Sequence, residues 1–373
     1  MLARRDDLKY WVGFNRVKGI GPAKLQALLD HFGDLGAAWN ANAATLRAIG
    51  IDRPAVEALL AARTQLDLDV ELKRIARVGA HVLTWADPGY PARLRQIPNS
   101  PPVLYIKGEL SEADHWAVAV VGTRRATNYG RQVTRELVAS LARSHVTVVS
   151  GLARGIDAEA HQAALDAGGR TIAVMGCGID QVYPPEHRRL AEAIVAQGAL
   201  VTECPLGTPP EAANFPPRNR IISGLSLGVL VVEAGAHSGA LITADFAAEQ
   251  GRDVFAVPGS IFMRGSEGTN RLIQDGAKMV LKPEDLLEEL NLTLVAEQAE
   301  ARQVIPDNPV EARLLSLLSA EPMHMDEVAA NAGLPITEVS ATLALMELKG
   351  LVRQVGGMNY VLAREQRAAY MVD

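Results

Sequence analysis

From Ala117 onward the chain repeats one unit. A short β-branched, apolar run ends in Gly or Ser and is followed by an alanine-rich stretch with helical spacing. Six runs are expected to be strands: 117–121, 146–150, 171–175, 200–202, 229–233 and 253–257. Helices are expected near 130–143, 158–167, 186–197, 220–225 and 243–251. A strand that is apolar along its whole length is buried on both faces, as in a parallel sheet wrapped by helices. Alternating βα units of this size predict a Rossmann-like, doubly wound, mostly parallel α/β domain.

The flanks follow other patterns. Up to residue 65 the chain reads as short helices, with Leu25, Leu28, Leu29 and Phe32 at helical spacing. The sheet domain is expected over 66–290, opening with a helix near 66–78 and the strand-like His81-Val82-Leu83-Thr84-Trp85. Five prolines between Asp87 and Pro102 exclude a long helix there. An acidic linker is expected over 291–308, a small last domain over 309–364 and a tail over 365–373.

Charge is distributed unevenly. The net charge is −6, made up of +3 over residues 1–113, 0 over 114–282 and −9 over 283–373. The acidity thus belongs to the C-terminal quarter, and a neutral middle can still present a basic groove, because binding follows local charge density. Cys177 and Cys204 stand alone, without a CxxC or a histidine cluster. That pattern fits a reducing compartment and argues against a structural zinc site. No apolar run reaches the roughly 18 residues a membrane span needs, and the charged start lacks the apolar core of a signal peptide. The expected location is the cytoplasm.

In a doubly wound sheet, ligands bind at the carboxyl ends of the strands, where loops and helix N-termini offer free N–H groups. This sequence is most distinctive there. The first strand ends in Gly122-Thr123-Arg124-Arg125, the second in Ser150-Gly151-Leu152-Ala153-Arg154-Gly155, and the fifth leads to Ser238-Gly239. Glycine lets the backbone approach an anion, hydroxyls donate to it, and arginine supplies a fork that matches a phosphate. Any one of these glycines is explained by a tight turn alone; their recurrence at successive strand ends is not. Asn214-Phe215-Pro216-Pro217-Arg218-Asn219-Arg220 sets an aromatic ring beside two guanidiniums, the pairing that single-stranded nucleic acid uses for base stacking and phosphate contact. The competing reading has Phe215 in the core and the arginines paired with acids.

Other ligands fit less well. There is no GxxxxGK[ST], and Gly122 opens no GxGxxG with a ribose-binding acid after the second strand. Asp157 and His161 share a helix face, but no third or fourth metal ligand lies near them in sequence, so a capping Asp157 and a packed His161 are expected. Ser150 and Ser238 lack the setting of a nucleophile. No cofactor, metal or catalytic residue is therefore assigned.

Several further blocks accompany these motifs: Tyr90-Pro91, Pro101-Pro102-Val103-Leu104-Tyr105, Gly155-Ile156-Asp157 with His161, Ile221-Ile222, Ala240-Leu241-Ile242-Thr243-Ala244 and Val257-Pro258-Gly259. In this order they resemble the DNA-processing protein A family (DprA, also called Smf) over essentially the whole middle domain. The resemblance implies a recombination mediator of natural transformation, without a cofactor or reaction of its own. Such proteins bind and protect incoming single-stranded DNA, form homodimers and help load RecA recombinase. It implies a phosphate-binding role for Arg124 and a place in the DNA pocket for Phe215, Arg218 and Arg220. The nucleic-acid-binding set expected here is Gly122, Thr123, Arg124, Ser150, Gly151, Arg154, Phe215, Arg218, Asn219, Arg220, Ser238 and Gly239. Some family members carry a lysine before the Phe-Pro block, where this chain has Pro209-Pro210-Glu211-Ala212-Ala213. Leu272 and Ile273 are candidates for dimer or RecA contact.

Val17-Lys18-Gly19-Ile20-Gly21-Pro22-Ala23-Lys24 has the form of a helix-hairpin-helix, which grips a phosphate without reading bases. A structural hairpin of a SAM-like bundle explains it equally well. The last domain resembles a winged helix, with helices near 311–318, 325–331 and 336–348 and a wing at Gly356-Gly357. Its third helix carries Glu338 and Glu347 and no Lys or Arg before Lys349, which favours a protein-contact or regulatory role over DNA reading. Two other functions compete with the leading one. A related Rossmann-like enzyme would bind a nucleotide or hydrolyse a phosphoribosyl compound, and a double-stranded-DNA regulator would act through the winged helix.

Overall fold

The computed structural model describes residues 7–292, 309–319, 322–348 and 352–362. The chain divides into two compact units, Met1–Val295 and Ala296–Asp373. Apart from 291 and 292, the acidic linker lies outside the described residues, as does the tail 365–373.

The larger unit is built on a nine-stranded sheet of order β1-β2-β6-β5-β4-β3-β7-β8-β9. Its strands are β1 (His81–Thr84), β2 (Val103–Gly108), β3 (Ala117–Val121), β4 (Thr147–Ser150), β5 (Thr171–Val174), β6 (Gly198–Thr202), β7 (Gly228–Val231), β8 (Asp253–Ala256) and β9 (Lys278–Met279). From β6 to β9 every pairing is parallel, while β1 and β2 add an antiparallel edge. β3 to β6 are buried at every residue, because helices cover both faces. The chain leaves β3 in one direction through β4, β5 and β6, then returns beside β3 as β7 and continues outward. The order therefore reverses between β3 and β7, and the ends of these strands splay apart to leave a crevice.

The expected strands are present with ends shifted by a residue or two, but two helices begin four or five residues earlier than the sequence suggests. The helix expected at Arg220 starts at Phe215 (α4, after α1 Asn128–Arg143, α2 Ile156–Asp166 and α3 Arg188–Gln197). Pro216 and Pro217 occupy its first turn, where a missing N–H costs nothing. The helix expected at Thr243 starts at Gly239 (α5, Gly239–Glu249), capped by the Ser238 hydroxyl. A further helix, α6 (Glu267–Gln274), precedes β9, and the helix Glu284–Glu289 follows it.

The first helices, Leu8–Asn15 to Arg53–Gln65, close around Phe14, Leu28, Leu35, Leu46 and Leu59. Asp34, Asn42 and Asp52 accept N–H groups as their helix caps. This helical part is fastened to the sheet: Tyr105 donates to Asn15 Oδ1 (2.9 Å), and Arg16 pairs with Glu71 (2.9 Å) while donating to Leu206 O (3.3 Å). In the hairpin, Lys24 donates to Asp52 (2.9 Å) and to Gly19 O (2.8 Å), so one of its two lysines closes the hairpin itself.

The smaller unit is a winged helix. Helices Pro309–Leu317, Met325–Ala332 and Ile336–Leu348 pack on a three-stranded sheet of Met323–His324, Asn359–Leu362 and Val352–Gln354. Leu314, Val328, Leu343, Met346 and Tyr360 form its core. Glu338 and Glu347 are exposed on the third helix, and Glu347 Oε1 accepts the Gln354 N–H (3.0 Å). Lys349 lies outside the described residues. Among the described residues, no single helix is long and apolar enough to cross a membrane.

Candidate nucleic-acid interface

The crevice between the ends of β3 and β7 is an open cleft of about 1060 Å³. Its walls are Gly122–Arg125 after β3, Gly235–Gly239 after β7, and the first turn of α4. Backbone hydrogen bonds knit the strand-end loops together. Thr123 N–H donates to Glu233 O (2.7 Å), and Ile156 N–H donates to Thr123 O (3.2 Å). The glycines follow from this closeness. A Cβ on Gly122 would collide with the Ile156 side chain and Glu233 O, and one on Gly155, at φ 79°, with Thr123 O.

Eight of the twelve residues expected to contact nucleic acid line this cleft: Gly122, Thr123, Arg124, Phe215, Arg218, Asn219, Ser238 and Gly239. Arg124 is exposed and makes no ion pair among the described residues. Its guanidinium lies 5.8 Å from the centre of the Phe215 ring, within cation–π range. Arg125 is likewise exposed. The Phe215 ring is half-buried and leans on Tyr183, their centroids 5.6 Å apart. An aromatic pair and unpaired cations thus share one wall.

Arg218 and Arg220 are placed differently. Arg218 is 5% exposed and donates to Gly151 O (2.8 Å) and to Val174 O, the carbonyls at the ends of β4 and β5. Burial lowers its pKa to about 10, against the opposing charge of Asp157. Asp157 is buried too and accepts the N–H groups of Gly151 (3.2 Å) and Ala153 (3.4 Å). Burial pushes its pKa up, with Arg218 as the main opposing influence. The pair braces the loop that follows β4 from within. Arg220 forks onto both carboxylate oxygens of Glu203 (2.5 and 2.7 Å) and donates to Asn99 O (3.0 Å). Burial opposes its charge, but Glu203 outweighs this and holds the guanidinium above its ordinary pKa.

Four expected residues do not line the cleft. Ser150 is fully buried, its hydroxyl donating to Val120 O (2.6 Å), and Gly151 is buried against Arg218 and Asp157. Arg154 points elsewhere and pairs with Glu186 (2.6 Å), and Arg220 is held by Glu203 as described. Ser150, Arg154, Arg218 and Arg220 were all expected to face a phosphate, and each is engaged with protein instead. As expected, His161 packs: it is fully buried, with Nδ1 against the Thr171 hydroxyl (2.7 Å). Leu272 packs partly on the core and Ile273 is half-buried beside it on α6.

The expected set leaves out several wall residues. Tyr183, His237 and Arg264 all line the cleft. Tyr183 follows Gly176-Cys177-Gly178, His237 stands between Gly235 and Gly239, and Arg264 precedes Gly265, and only the folded sheet brings the three to one cleft. Among the described residues, no group of three or more His, Cys, Asp or Glu is placed to hold a metal ion.

Residues 81–291 match the DNA recombination-mediator protein A family, and residues 298–358 match the DprA winged helix domain. The Smf protein of Synechocystis is 38% identical over 388 residues, covering 94% of this chain and 98% of that protein. The crystal structure of DNA processing protein A from Streptococcus pneumoniae superposes with a TM-score of 0.67 at 36% identity, over 78% of this chain and 99% of that one. DNA processing protein A from Helicobacter pylori, whose structure concerns its single-stranded DNA binding mode, gives a TM-score of 0.52 at 29% identity, over 57% of this chain and 95% of that one.

Proposed function

The chain belongs to the DNA recombination-mediator protein A family, and on that footing we propose that it binds single-stranded DNA in the cleft between β3 and β7. One observation carries the reading: Arg124 stands exposed and unpaired at a strand end, against the ring of Phe215, in a cleft open enough for a polymer to enter and leave. A single strand offers a phosphate to the guanidinium and a base to the ring one nucleotide apart. A mononucleotide also carries a base and a phosphate, but it would leave most of the cleft wet. The single-strand binding of the Helicobacter pylori relative supports the same reading.

In the cell this activity serves natural transformation. The cytoplasmic protein holds and protects the incoming strand as a homodimer and helps load RecA on it, with no reaction or cofactor of its own. Leu272 and Ile273 on α6 belong to the dimer or RecA surface. The winged helix, whose third helix exposes Glu338 and Glu347, contacts protein and not DNA.

A titration of the full chain with oligo-dT, a matched duplex and mononucleotides tests this at two salt concentrations. Tight, salt-sensitive binding of oligo-dT with much weaker binding of the duplex is the expected result. Stabilisation by a mononucleotide alone would favour an enzyme, and equal or stronger duplex binding lost on removing residues 309–373 would favour a winged-helix regulator.

A further inference from the structure

Between β8 and α6 the chain makes a short turn that exposes three large apolar side chains in a row: Ile261 at 81%, Phe262 at 90% and Met263 at 52%. Solvating such a cluster is unfavourable, and contiguous exposed apolar surface marks an interaction site. The turn is tightly built. Asn270 exchanges two hydrogen bonds with the Gly259 backbone (3.0 Å each), and the Ser260 hydroxyl and carbonyl accept the N–H groups of Phe262 (3.3 Å) and Met263 (3.1 Å). Tyr129, five residues after Arg124, donates its hydroxyl to Pro258 O (3.0 Å) and so ties the root of the turn to the start of α1. The fold thus holds an aromatic ring out into water on a fixed support.

The position of the turn identifies its occupant. The residue that follows it, Arg264, lines the cleft with Gly235 and His237, while Ile261 lines a smaller hollow with Glu267, Asn270 and Arg271, so the turn stands at the cleft's rim. An aromatic ring next to a cationic groove is the arrangement that stacks a base while the backbone follows the charge. Resting on the cleft reading above, we propose that Phe262, flanked by Ile261, is a second stacking platform. It takes a nucleobase of the single strand where the strand leaves the Arg124–Phe215 site past Arg264. The bound strand is therefore longer than the cleft, and base identity is unimportant at the tip because every base has a π-face.

The experiment compares wild type, Phe262→Ala and Arg124→Ala on a short oligo-dT that fills only the cleft and on a 20-mer. Phe262 is almost fully exposed, so its removal takes no packing from the fold. Phe262→Ala is expected to weaken the 20-mer about fivefold or more and to leave the short oligonucleotide unchanged, while Arg124→Ala weakens both. Quenching of the added indole in Phe262→Trp by the 20-mer, over the signal of wild type, would show the stacking directly. Wild-type affinity of Phe262→Ala for the 20-mer, with Arg124→Ala still impaired, would overturn this proposal and leave the cleft standing. A change in self-association without a change in DNA affinity would also overturn it and assign the tip to a second copy of the chain. Wild-type binding of both oligonucleotides by Arg124→Ala would remove the cleft and this extension with it.

Discussion

Arg124 and Arg218 each hold a guanidinium 5.8 Å from the centre of the Phe215 ring, yet one is exposed and the other is 5% exposed. Arg124 follows a strand end and meets no acid among the described residues, so its donors stay available to a ligand. Arg218 is in the first turn of α4, where the helix packs over β4 and β5, and its donors are taken by the carbonyls of Gly151 and Val174. Arg220, two residues further on, is forked onto Glu203. Two arginine-bearing motifs of similar appearance thus divide the labour: one offers charge to solvent, the other holds the wall against which that charge is displayed.

The sharpest way to break this division is Arg218→Ala. It would remove the main charge that opposes the burial of Asp157 and leave two buried carbonyls without this donor, at a cost of roughly 1–3 kcal/mol for each acceptor left unsatisfied. A large drop in melting temperature is expected, with any loss of DNA binding following the loss of fold. A variant that melts like wild type but no longer binds DNA would reverse the roles given to the two arginines.

A smaller effect tests whether the loop after β4 is backed by dry interior and not by a ligand site. Burial lowers the His161 pKa from 6.5 to about 3. The unfolded chain takes up the proton near 6.5 and the folded one does not. The contribution is thus complete above 6.5 and shrinks by about 1.4 kcal/mol per pH unit as the pH falls from there toward 3. Melts between pH 7 and pH 5 should show this slope, and His161→Asn should flatten it. An unchanged slope in the variant would mean that His161 is not the group responsible.

How much of this was legible in the sequence differs by kind of feature. The parallel strands were, because strands buried on both faces leave an unbroken apolar run, as in Ala117–Val121. The two-residue strand Lys278–Met279 and the antiparallel strand Val103–Gly108 were not singled out, since one is too short for a pattern and the other follows a pair of prolines. Pro216 and Pro217 delayed the expected start of α4, although a first turn accepts proline. In the site, glycine-rich motifs located the cleft, because tight turns and close backbone approach need glycine. Residue type could not say which way a guanidinium points. Glu203 and Asp157, the acids that face Arg220 and Arg218, lie 17 and 61 positions away in the chain, and only the fold sets them there.

The central claim, that Arg124 binds the strand while Arg220 serves the fold, is tested most directly by the salt dependence of oligo-dT affinity in wild type, Arg124→Ala and Arg220→Gln. Arg124→Ala should melt like wild type, bind about tenfold or more weakly, and lose about 0.7 from the slope of log affinity against log salt, the share of one phosphate on a single strand. Arg220→Gln should keep the wild-type slope and be slightly less stable. A full slope in Arg124→Ala together with a reduced slope in a well-folded Arg220→Gln would contradict the account.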